Sequence, residues 1–527
     1  MLWWIFLLTA LIVALWYRYH YKPYRYWQKL GVKQYTTPWI IFGDFWPMFL
    51  GRMNVIELMD KFYKIDSDAR YVALYHLSIP SLLIRDPILL KQLLVKDFDH
   101  FTDHIDIAPS EDKDGLWTQN LFALRGKKWR DMRSVLSGTF TSSKIKFIYK
   151  LIEETSVNFV QHFTKTDKDL IEVELKDVFT KFTNDVIATT AFGIQINSLE
   201  EPNNEFYLMG KEATDFGGIV AVTKFFMTLL FPWICRQLKI GLFSQRVSDF
   251  FYNLIDENLK AREDQKIVRP DMLQILLQAQ KKAPIEETDT IDTGFAVVKD
   301  NIPENVPFQI TTKDIASQAV TFFIAGFDSV SSAMCFSCYE LAVNPDIQKK
   351  LREEIKETME KNDDKITYDS LLAMKYLDMV VTESLRKWPA IPATDRLCVK
   401  PYTIKATQPE EIDVTLLPGQ SILIPFASTQ LDPQYYPNPK KFDPERFSDE
   451  NKSKIVPYTY MPFGVGPRGC IGSRLALLEV KSMIFHLLKN FEVVPTAKTP
   501  VPLKLSKMSM AVTVDGGFPM AFKRIEI

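Results

Sequence analysis

The chain has 527 residues, of which 46% are hydrophobic, and its formal net charge is −1. This length is enough for two or three domains or for one large enzyme fold with an extensive apolar core. A charge so close to zero gives no global indication of nucleic-acid binding or of an acidic substrate, so charge has to be judged locally. The five cysteines form an odd, sparse set, which favours a reducing compartment and argues against a disulfide framework.

The first element is the N-terminal run LWWIFLLTALIVALW, which contains no charged residue. With the tyrosines after it, the run approaches the ~20 residues of a spanning helix, so residues 1–22 are predicted to be a transmembrane anchor. A cleaved signal peptide is disfavoured, since basic charge follows the run and no small-residue cleavage site is present. Arg18 and Lys22 then place the rest of the chain on the cytosolic side. We expect a linker over residues 23–50 and a single domain over residues 51–527.

A second apolar stretch, FGGIVAVTKFFMTLLFPWI, covers residues 216–234 and is long enough to span a membrane. Lys224 lies at its centre, where charge is costly in lipid. A second span would also move the C-terminal half of the chain to the oxidising side of the membrane. We therefore expect this stretch to dip into the membrane surface or to form an apolar lid lying on it.

The hydrophobic periodicity of the remaining chain predicts a mainly α fold of the α+β class, helix-rich with small sheets. Strand-like runs lie at 71–75, 82–84, 403–404 and 421–425. A tail hairpin is predicted over 512–522, with Asp515-Gly516-Gly517 as its turn, and the acidic segment 285–307 is predicted to be a surface loop. The predicted helices cover residues 87–97, 128–136, 144–163, 171–192, 246–262, 270–281, 312–343, 345–361, 368–387 and 472–489.

Residues 463–472, FGVGPRGCIG, place one cysteine between glycines and directly before an apolar helical run. The unpaired N–H groups at a helix start favour a thiolate at Cys470, and the glycines let the backbone approach a flat ligand closely. Arg468 adds a permanent charge that suits a carboxylate. A thiolate in a tight loop beside such an arginine is what a haem-thiolate site requires. The competing interpretation is a buried structural cysteine beside a glycine turn.

The longest predicted helix contains a second unusual stretch, in which Ala325 and Gly326 precede Asp328 and Ser329. A glycine in mid-helix costs up to ~1 kcal/mol relative to alanine, and a buried acid beside an alcohol is unfavourable in a purely structural helix. The two side chains are suited to holding water and delivering protons to bound oxygen. A kinked helix with a satisfied polar pair is the alternative.

Residues 463–472 match the haem-binding signature F-x-x-G-x-R-x-C-x-G of the cytochrome P450 family without departure. Residues 325–330 resemble the family's oxygen-activation motif A-G-x-[DE]-T-[TS], with Ser329 where threonine is usual; the hydroxyl is kept, but the methyl that restricts its rotamer is lost. Residues 383–386, ESLR, resemble the E-x-x-R element, and residues 444–447 resemble P-E-R-F. The resemblance extends from the N-terminal run to the tail, and it implies the cytochrome P450 fold with one catalytic domain.

The resemblance also implies how haem b would be held. Cys470 would be the axial thiolate ligand of the iron, in a loop that begins with Phe463 and ends with Gly472. His104 is either a further contact of the haem or a surface histidine. The residues implied to contact the haem propionates are Trp129, Arg133, Arg396 and Arg468.

The same resemblance implies catalytic, structural and substrate-binding roles. Asp328 and Ser329 would relay protons, while Glu383, Arg386 and Arg446 would form a buried structural network behind the haem loop. By analogy with the family, the substrate pocket would also involve the loop 105–117 and the lid 216–231. The residues expected to line it are Phe322, Phe323, Ala325, Ile391, Thr394 and Phe518.

The function implied is that of a monooxygenase that inserts one oxygen atom from O₂ into small lipophilic substrates, such as insecticides or plant toxins. Because no nucleotide-binding glycine-rich loop is present, electrons would come from NADPH through a reductase, with cytochrome b5 as a second partner, at the endoplasmic reticulum membrane. The expected reductase-facing cations are Lys127, Lys128, Arg130, Arg474 and Lys481.

Two alternatives are a haem-thiolate isomerase or dehydrase that needs no O₂ and a non-catalytic haem-binding or ligand-binding protein. No feature points to nucleic acid. Residues 98–104, FDHFTDH, and 287–296, ETDTIDTGFA, carry a narrower likeness to insect microsomal members of P450 family 9, for which a bee is one candidate source.

Overall fold

The computed structural model describes residues 2–17, 25–35, 42–76, 79–107, 115–138, 142–215, 223–224, 227–228, 231–238, 240–267, 269, 271–280, 295, 310–409, 411–507, 509 and 512–525. The α-helices are α1 (Leu2–Trp16), α2 (Tyr26–Lys29), α3 (Trp46–Phe49), α4 (Val55–Tyr63), α5 (Pro87–Lys91), α6 (Gly126–Ser137), α7 (Ser142–Thr164), α8 (Leu175–Ile187), α9 (Glu205–Ala213), α10 (Pro232–Gln237), α11 (Gln245–Asp264), α12 (Met272–Gln280), α13 (Thr312–Val343), α14 (Pro345–Lys361), α15 (Tyr368–Ala373), α16 (Lys375–Lys387), α17 (Phe426–Gln430) and α18 (Ser473–Asn490). Two π-helical turns, Gln92–Lys96 and Ala188–Phe192, extend α5 and α8, and short 3-10 helices occupy Phe98–His100, Pro444–Phe447 and Lys452–Lys454.

The described strands form three small sheets. They are β1 (Tyr71–His76), β2 (Ile79–Ile84), β3 (Leu170–Glu174), β4 (Thr394–Leu397), β5 (Tyr402–Ile404), β6 (Val414–Leu416), β7 (Ser421–Ile424), β8 (Phe491–Pro495) and β9 (Pro519–Arg524). The largest sheet has the order β1-β2-β7-β4, in which only the β2–β7 pair is parallel. The others are the antiparallel sheet β3-β9-β8 and the hairpin β5-β6.

The fold is organised around α13, which has 32 residues. Thr311 and Asp314 start this helix with a capping box, in which each side chain accepts the backbone N–H of the other residue. Helices α8, α11, α16 and α18 pack around it and bury most of its side chains. Of the residues that the structure describes, this is the one helix long and apolar enough to cross a membrane, and 61% of its most apolar window is buried inside the protein. That burial is typical of a core helix.

Two predicted helices differ from the structure. The helix predicted over 171–192 begins only at Leu175, because the residues before it form β3 and pair with β9. The helix predicted over 368–387 is divided into α15 and α16 at Met374, whose backbone is extended (φ −73°, ψ 97°). Periodicity continues through both points, but strand pairing overrides it at the first and a local change of backbone conformation interrupts it at the second.

The predicted tail hairpin over 512–522 is wrong in its pairing. The expected turn is present, with Gly516 and Gly517 at φ +81° and +71°, but Val514 before it bridges to Leu505. The strand after the turn, β9, pairs with β3 and β8 instead of folding back on its own neighbour. The turn signal is local, whereas the choice of strand partner depends on distant parts of the chain.

Near the N-terminus, the exposed helix α1 is followed by well-packed residues. Trp3 on this helix is 77% exposed, whereas Trp27 is fully buried. The indole Nε1 of Trp27 donates to the carbonyl of Leu74 in β1 at 3.1 Å, and Gln34 forms a bridge to the same strand. The packed part of the chain therefore begins within the stretch 23–50 that the sequence predicts to be a linker.

Candidate active site

The glycine-rich loop over residues 463–472 leads directly into α18. Gly464 and Gly466 have left-handed φ angles of +70° and +73°, which let the chain turn sharply at little cost for glycine. The loop closes where the N–H of Cys470 donates to the carbonyl of Phe463 at 2.8 Å. The thiol of Cys470 is exposed, whereas the other four cysteines are buried. Of the five thiols, only this one is presented on a tight loop before a helix.

Close packing explains why glycine is needed in this loop. A Cβ built on Gly466 would lie 2.1 Å from the carbonyl oxygen of Leu94, which no relaxation of a side chain could relieve. Leu94 belongs to the π-helical turn after α5, so the loop rests directly on that backbone. Gly472 precedes the first residue of α18, and its carbonyl accepts the N–H of Ala476 at 2.9 Å.

Arg468 ties the loop to two other segments of the chain. Its guanidinium donates to the backbone carbonyls of Thr102 at 2.8 Å, Leu121 at 3.1 Å, Phe122 at 3.2 Å and Leu124 at 2.6 Å. The side chain is almost completely buried, with 3% of its surface exposed. Hydrogen bonds from a buried charge to this many carbonyls fix the orientation of the side chain.

The predicted haem-contacting residues come together beside this loop. Burial lowers the pKa of Arg468 to about 8, and the charges of Arg396 and Arg133 act in the same direction while Asp103 opposes it. Burial likewise lowers the pKa of Arg396 to about 10. The guanidinium carbon of Arg468 lies 4.1 Å from the ring centroid of Trp129, which is a cation–π contact. The guanidinium groups of Arg133, Arg396 and Arg468 therefore form a buried cluster.

Asp395 and His104 flank this cluster. Oδ1 of Asp395 lies 3.2 Å from Nδ1 of His104, and Oδ2 accepts the N–H of Ile105 at 2.6 Å. Burial lowers the pKa of His104 to about 4, so its imidazole is neutral at pH 7. Its ring stacks on Phe122 with 4.2 Å between centroids. The alternative that His104 is a surface residue is wrong, because tertiary packing covers it.

These residues fit a planar cofactor that carries two carboxylates. Nε of Arg396 is buried and has no hydrogen-bond partner among the described residues, so this donor is available to an acceptor on a ligand. Around it, the three guanidinium groups outnumber the carboxylates of Asp103 and Asp395, and such a surplus of buried positive charge suits an anionic ligand. Haem, with its two propionates and an iron that takes a thiolate ligand, has the matching chemistry.

Three predicted site residues lie on one accessible face of α13. Phe322, Ala325 and Ser329 are spaced at i, i+3 and i+7, and each retains accessible surface. The hydroxyl of Ser329 donates to the carbonyl of Ala325, one turn earlier. Gly326 on the same turn allows close approach of α8, because a Cβ there would lie 3.1 Å from the side chain of Ile187.

Asp328 is not the buried partner of Ser329 that the sequence predicts. Its side chain is 41% exposed and pairs with Lys176 on α8 at 2.7 Å. Nζ of Lys176 also donates to the carbonyl of Asp328 at 3.0 Å and to the hydroxyls of Ser331 and Ser332 at 2.8 Å each. Lys176 was missed in the sequence, since only the packing of α8 on α13 brings it to this point.

Phe323 does not line the accessible face of α13, although the sequence predicts it as a pocket residue. Consecutive residues of a helix point about 100° apart, and this rotation turns Phe323 away from the side on which Phe322 is accessible. It is fully buried in an aromatic cluster that includes Phe192, Phe206, Phe251 and Phe327.

The other predicted pocket residues have different surroundings. Ile391 is 57% exposed and Thr394 at the start of β4 is partly exposed, as expected for a cavity wall. Phe518 is buried and packs edge-to-face on Phe336, with 5.1 Å between centroids. Parts of the loop 105–117 and most of the lid 216–231 lie outside the described residues.

The residues of the predicted structural network, Glu383, Arg386 and Arg446, lie close to one another. The two oxygens of Glu383 accept from Nε and Nη2 of Arg386 at 2.6 and 2.9 Å, and both side chains are fully buried. Oε1 of Glu383 also accepts the N–H of Asp443 at 2.9 Å and lies 3.5 Å from Nε of Arg446. The network thus joins α16 to the 3-10 helix Pro444–Phe447.

One of the predicted reductase-facing cations is unsuited to that role. Lys481 is 1% exposed and binds Asp378 at 2.7 Å, so its charge is not available at the surface. The helical pattern could not reveal this, because Asp378 lies on a different helix. The remaining candidates are exposed or partly exposed, and they are Lys127, Lys128, Arg130 and Arg474.

Comparison with known proteins agrees with this geometry. The family model for cytochrome P450 matches residues 35–519. The chain is 42% identical over 500 residues to cytochrome P450 9e2 of Blattella germanica, covering 92% of this chain and 90% of that one. It is 38% identical over 527 residues to probable cytochrome P450 9f2 of Drosophila melanogaster, covering 98% of both chains. It is also 36% identical to cytochrome P450 6k1 of Blattella germanica, over 98% of this chain and 96% of that one.

The similarity extends over nearly the whole chain, and the residues matched by the family model, 35–519, include the cysteine loop, α13 and the buried glutamate–arginine network. Members of this family generally act as monooxygenases and hold haem iron through a cysteine thiolate. The likeness to family 9 proteins of insects agrees with the narrower resemblance found in the sequence. The chain belongs to the cytochrome P450 family.

Proposed function

We propose that this protein is a haem-thiolate monooxygenase that transfers one oxygen atom from O₂ to small lipophilic substrates. The observation that carries the proposal is the exposed thiol of Cys470, at the end of a loop whose Arg468 belongs to a cluster of three buried guanidinium groups. A thiolate and a carboxylate-binding cluster on one loop are the two requirements for holding haem in a fixed orientation. When bound, haem would supply the oxygen activation that no amino-acid side chain can perform.

Each residue of the cluster has a distinct task in this proposal. Cys470 would hold the haem iron through its thiolate, which would supply electron density to the metal. Nε of Arg396, which is buried without a partner among the described residues, would donate to one propionate. Arg133 would bind the other, because it is 97% buried and lies close enough to Arg468 to lower its pKa. Trp129 stacks on Arg468 and holds it against the loop.

Proton delivery is assigned to the accessible face of α13. The Ser329 hydroxyl already donates to the carbonyl of Ala325, so its oxygen can accept a hydrogen bond from a water molecule. Asp328, whose side chain is 41% exposed, would relay protons between solvent and this hydroxyl, while Lys176 holds the carboxylate in place. Serine lacks the methyl that restricts the rotamer of threonine, so we expect more of the reducing equivalents to be lost as peroxide or water.

The substrate would be apolar, because the accessible residues among those expected to line the pocket include Phe322, Ala325 and Ile391. Xenobiotics such as insecticides or plant toxins fit this lining. Electrons would come from NADPH through a flavoprotein reductase, or from cytochrome b5, docked on the exposed cations near α6. We place the protein at the endoplasmic reticulum membrane, anchored through α1, whose apolar side chains are exposed along its length.

Oxygen transfer is tested by product labelling. Reconstituted with reductase, NADPH and ¹⁸O₂, the protein is expected to give a hydroxylated product that carries one ¹⁸O atom. Turnover of a substrate without NADPH and without label would instead identify an isomerase or dehydrase. Binding of haem and lipophilic ligands with no turnover at all would identify a sequestering protein.

A further inference from the structure

Gln318 on α13 braces a loop that leads to the haem-binding cluster. Its side chain is fully buried. Oε1 accepts the N–H of Leu121 at 3.0 Å, and Nε2 donates to the carbonyl of Gln119 at 2.7 Å. The amide therefore uses both of its ends on the backbone of one segment, residues 115–125, which we call the brace loop.

The brace loop contains neither a helix nor a strand, and turns within it satisfy some of its backbone groups, such as the N–H of Leu124, which donates to the carbonyl of Asn120 at 2.9 Å. Asn120 pairs locally, through Oδ1, with the N–H of Ala123 at 2.7 Å. Gln318 supplies two long-range bonds, across almost 200 positions of sequence. A buried backbone group that is left without a hydrogen bond raises the free energy of the folded state. If the Gln318 amide were removed, the brace loop would therefore shift to find other partners for the backbone groups of Gln119 and Leu121.

The same brace loop provides three of the four carbonyls that orient Arg468. Those of Leu121, Phe122 and Leu124 all accept from its guanidinium. Leu121 thus receives the Gln318 amide on its N–H and gives its carbonyl to Arg468. A displacement of the brace loop would therefore move Arg468, which precedes Cys470 by two residues.

We propose that Gln318 is a positioning residue for the cofactor: through the brace loop it sets the place of Arg468, and so the strength and orientation of haem binding. It lies one helical turn before Phe322, so it also links the substrate-facing side of α13 to the haem-binding cluster. This role rests on the proposed function only in that the ligand of the cluster is haem.

Gln348 offers a matched control elsewhere in the molecule. It is 2% exposed on α14. Its Oε1 accepts the N–H of Val493 at 2.8 Å and its Nε2 donates to the carbonyl of the same residue at 2.9 Å. Nε2 also donates to the carbonyl of Leu341 at 3.1 Å, so Gln348 makes one buried bond more than Gln318. The braced strand β8 makes none of the contacts of Arg468.

The test compares Gln318→Met with Gln348→Met in the full-length, haem-loaded protein. Three quantities are measured: the rate of haem transfer to excess apomyoglobin, the midpoint potential of the iron, and the urea midpoint of the far-UV circular dichroism. We expect both variants to lower the urea midpoint. Only Gln318→Met should speed haem loss, by about tenfold, as expected for the loss of two buried hydrogen bonds, and should shift the potential. Equal haem-loss rates in the two variants would overturn the proposal.

If Gln318→Met does not fold, Gln318→Glu takes its place, because the carboxylate still accepts the N–H of Leu121 but presents an oxygen, in place of a donor, to the carbonyl of Gln119. Its haem-loss rate should then lie above the wild-type rate. A rate equal to the wild-type rate would contradict the proposal. Failure of the wild-type protein to bind haem would instead refute the proposed function, so the two failures are distinguishable.

Discussion

The buried pair of Glu383 and Arg386 allows a quantitative test of the network behind the haem loop. In Glu383→Gln, one acceptor oxygen becomes an amide NH₂ that faces the N–H groups of Arg386, and the arginine stays fully buried. Breaking one side of a buried ion pair typically costs ~3–5 kcal/mol, because the remaining charge is left without compensation. A domain is stabilised by only about 5–15 kcal/mol, so this loss is a large part of the total.

The matched control is Glu445→Gln, in the 3-10 helix Pro444–Phe447 that the buried network joins to α16. Glu445 binds Lys350 at 2.6 Å, but the two side chains are 49% and 56% exposed. A surface pair of this kind contributes at most about 1 kcal/mol. The two variants therefore each remove one carboxylate, Glu383 from a buried pair on α16 and Glu445 from a solvated pair on the 3-10 helix Pro444–Phe447.

The assay is urea unfolding followed by far-UV circular dichroism, together with the haem content of the purified protein. We expect Glu383→Gln to lose ~3–5 kcal/mol and most of its haem, and Glu445→Gln to stay within about 1 kcal/mol of the wild type. Equal and small losses in both variants would refute the reasoning, because they would show that Glu383 does not compensate a buried charge.

Three further predictions follow from the site. Ser329→Thr should raise the ratio of product formed to NADPH consumed, measured by product and peroxide assays, and Ser329→Ala should lower it; an unchanged ratio in both variants would exclude the hydroxyl from proton delivery. Lys176→Met should lower the free energy of unfolding by about 1 kcal/mol. Asp328→Asn should lower the turnover rate while it changes the free energy of unfolding little. If Asp328→Asn lowers turnover only to the extent that it lowers stability, Asp328 has no role in proton relay. Burial lowers the pKa of His104 from 6.5 to about 4, so between these pH values only the unfolded state binds the extra proton and the free energy of unfolding falls as pH falls. His104→Gln should flatten the plot of unfolding free energy against pH over this range. An unchanged slope would contradict a buried, neutral His104.

Local motifs predicted the parts of the site that lie close together in the chain. The spacing within residues 463–472 is sufficient to predict the loop around Cys470, because its turns depend on the glycines themselves. The i, i+3 spacing of Glu383 and Arg386 likewise places both side chains on one helix face. The helix Thr312–Val343 was predicted with the bounds that the structure shows, since its apolar pattern is long and ends at clear capping residues.

Residues whose role depends on packing between distant segments were missed or misplaced. Lys176 reaches Asp328 across 152 positions, and nothing near it in sequence indicates that partner. Phe323 was expected to line the pocket by analogy with the family, but it is fully buried, because packing decides which side of the helix faces a cavity. Lys481 was predicted at the surface, although α18 turns it towards Asp378. Tertiary contacts decide such cases, and periodicity alone does not contain them.

The most direct test of the central claim is the carbon monoxide difference spectrum of the reduced protein. A band near about 450 nm is expected for the wild type and is expected to be absent in Cys470→Ser, because the band requires a thiolate ligand. Cys335→Ser, which changes a buried thiol on α13, should keep the band. A haem-loaded wild-type protein without the band, or a Cys470→Ser protein that retains it, would contradict ligation by Cys470 and the function built on it.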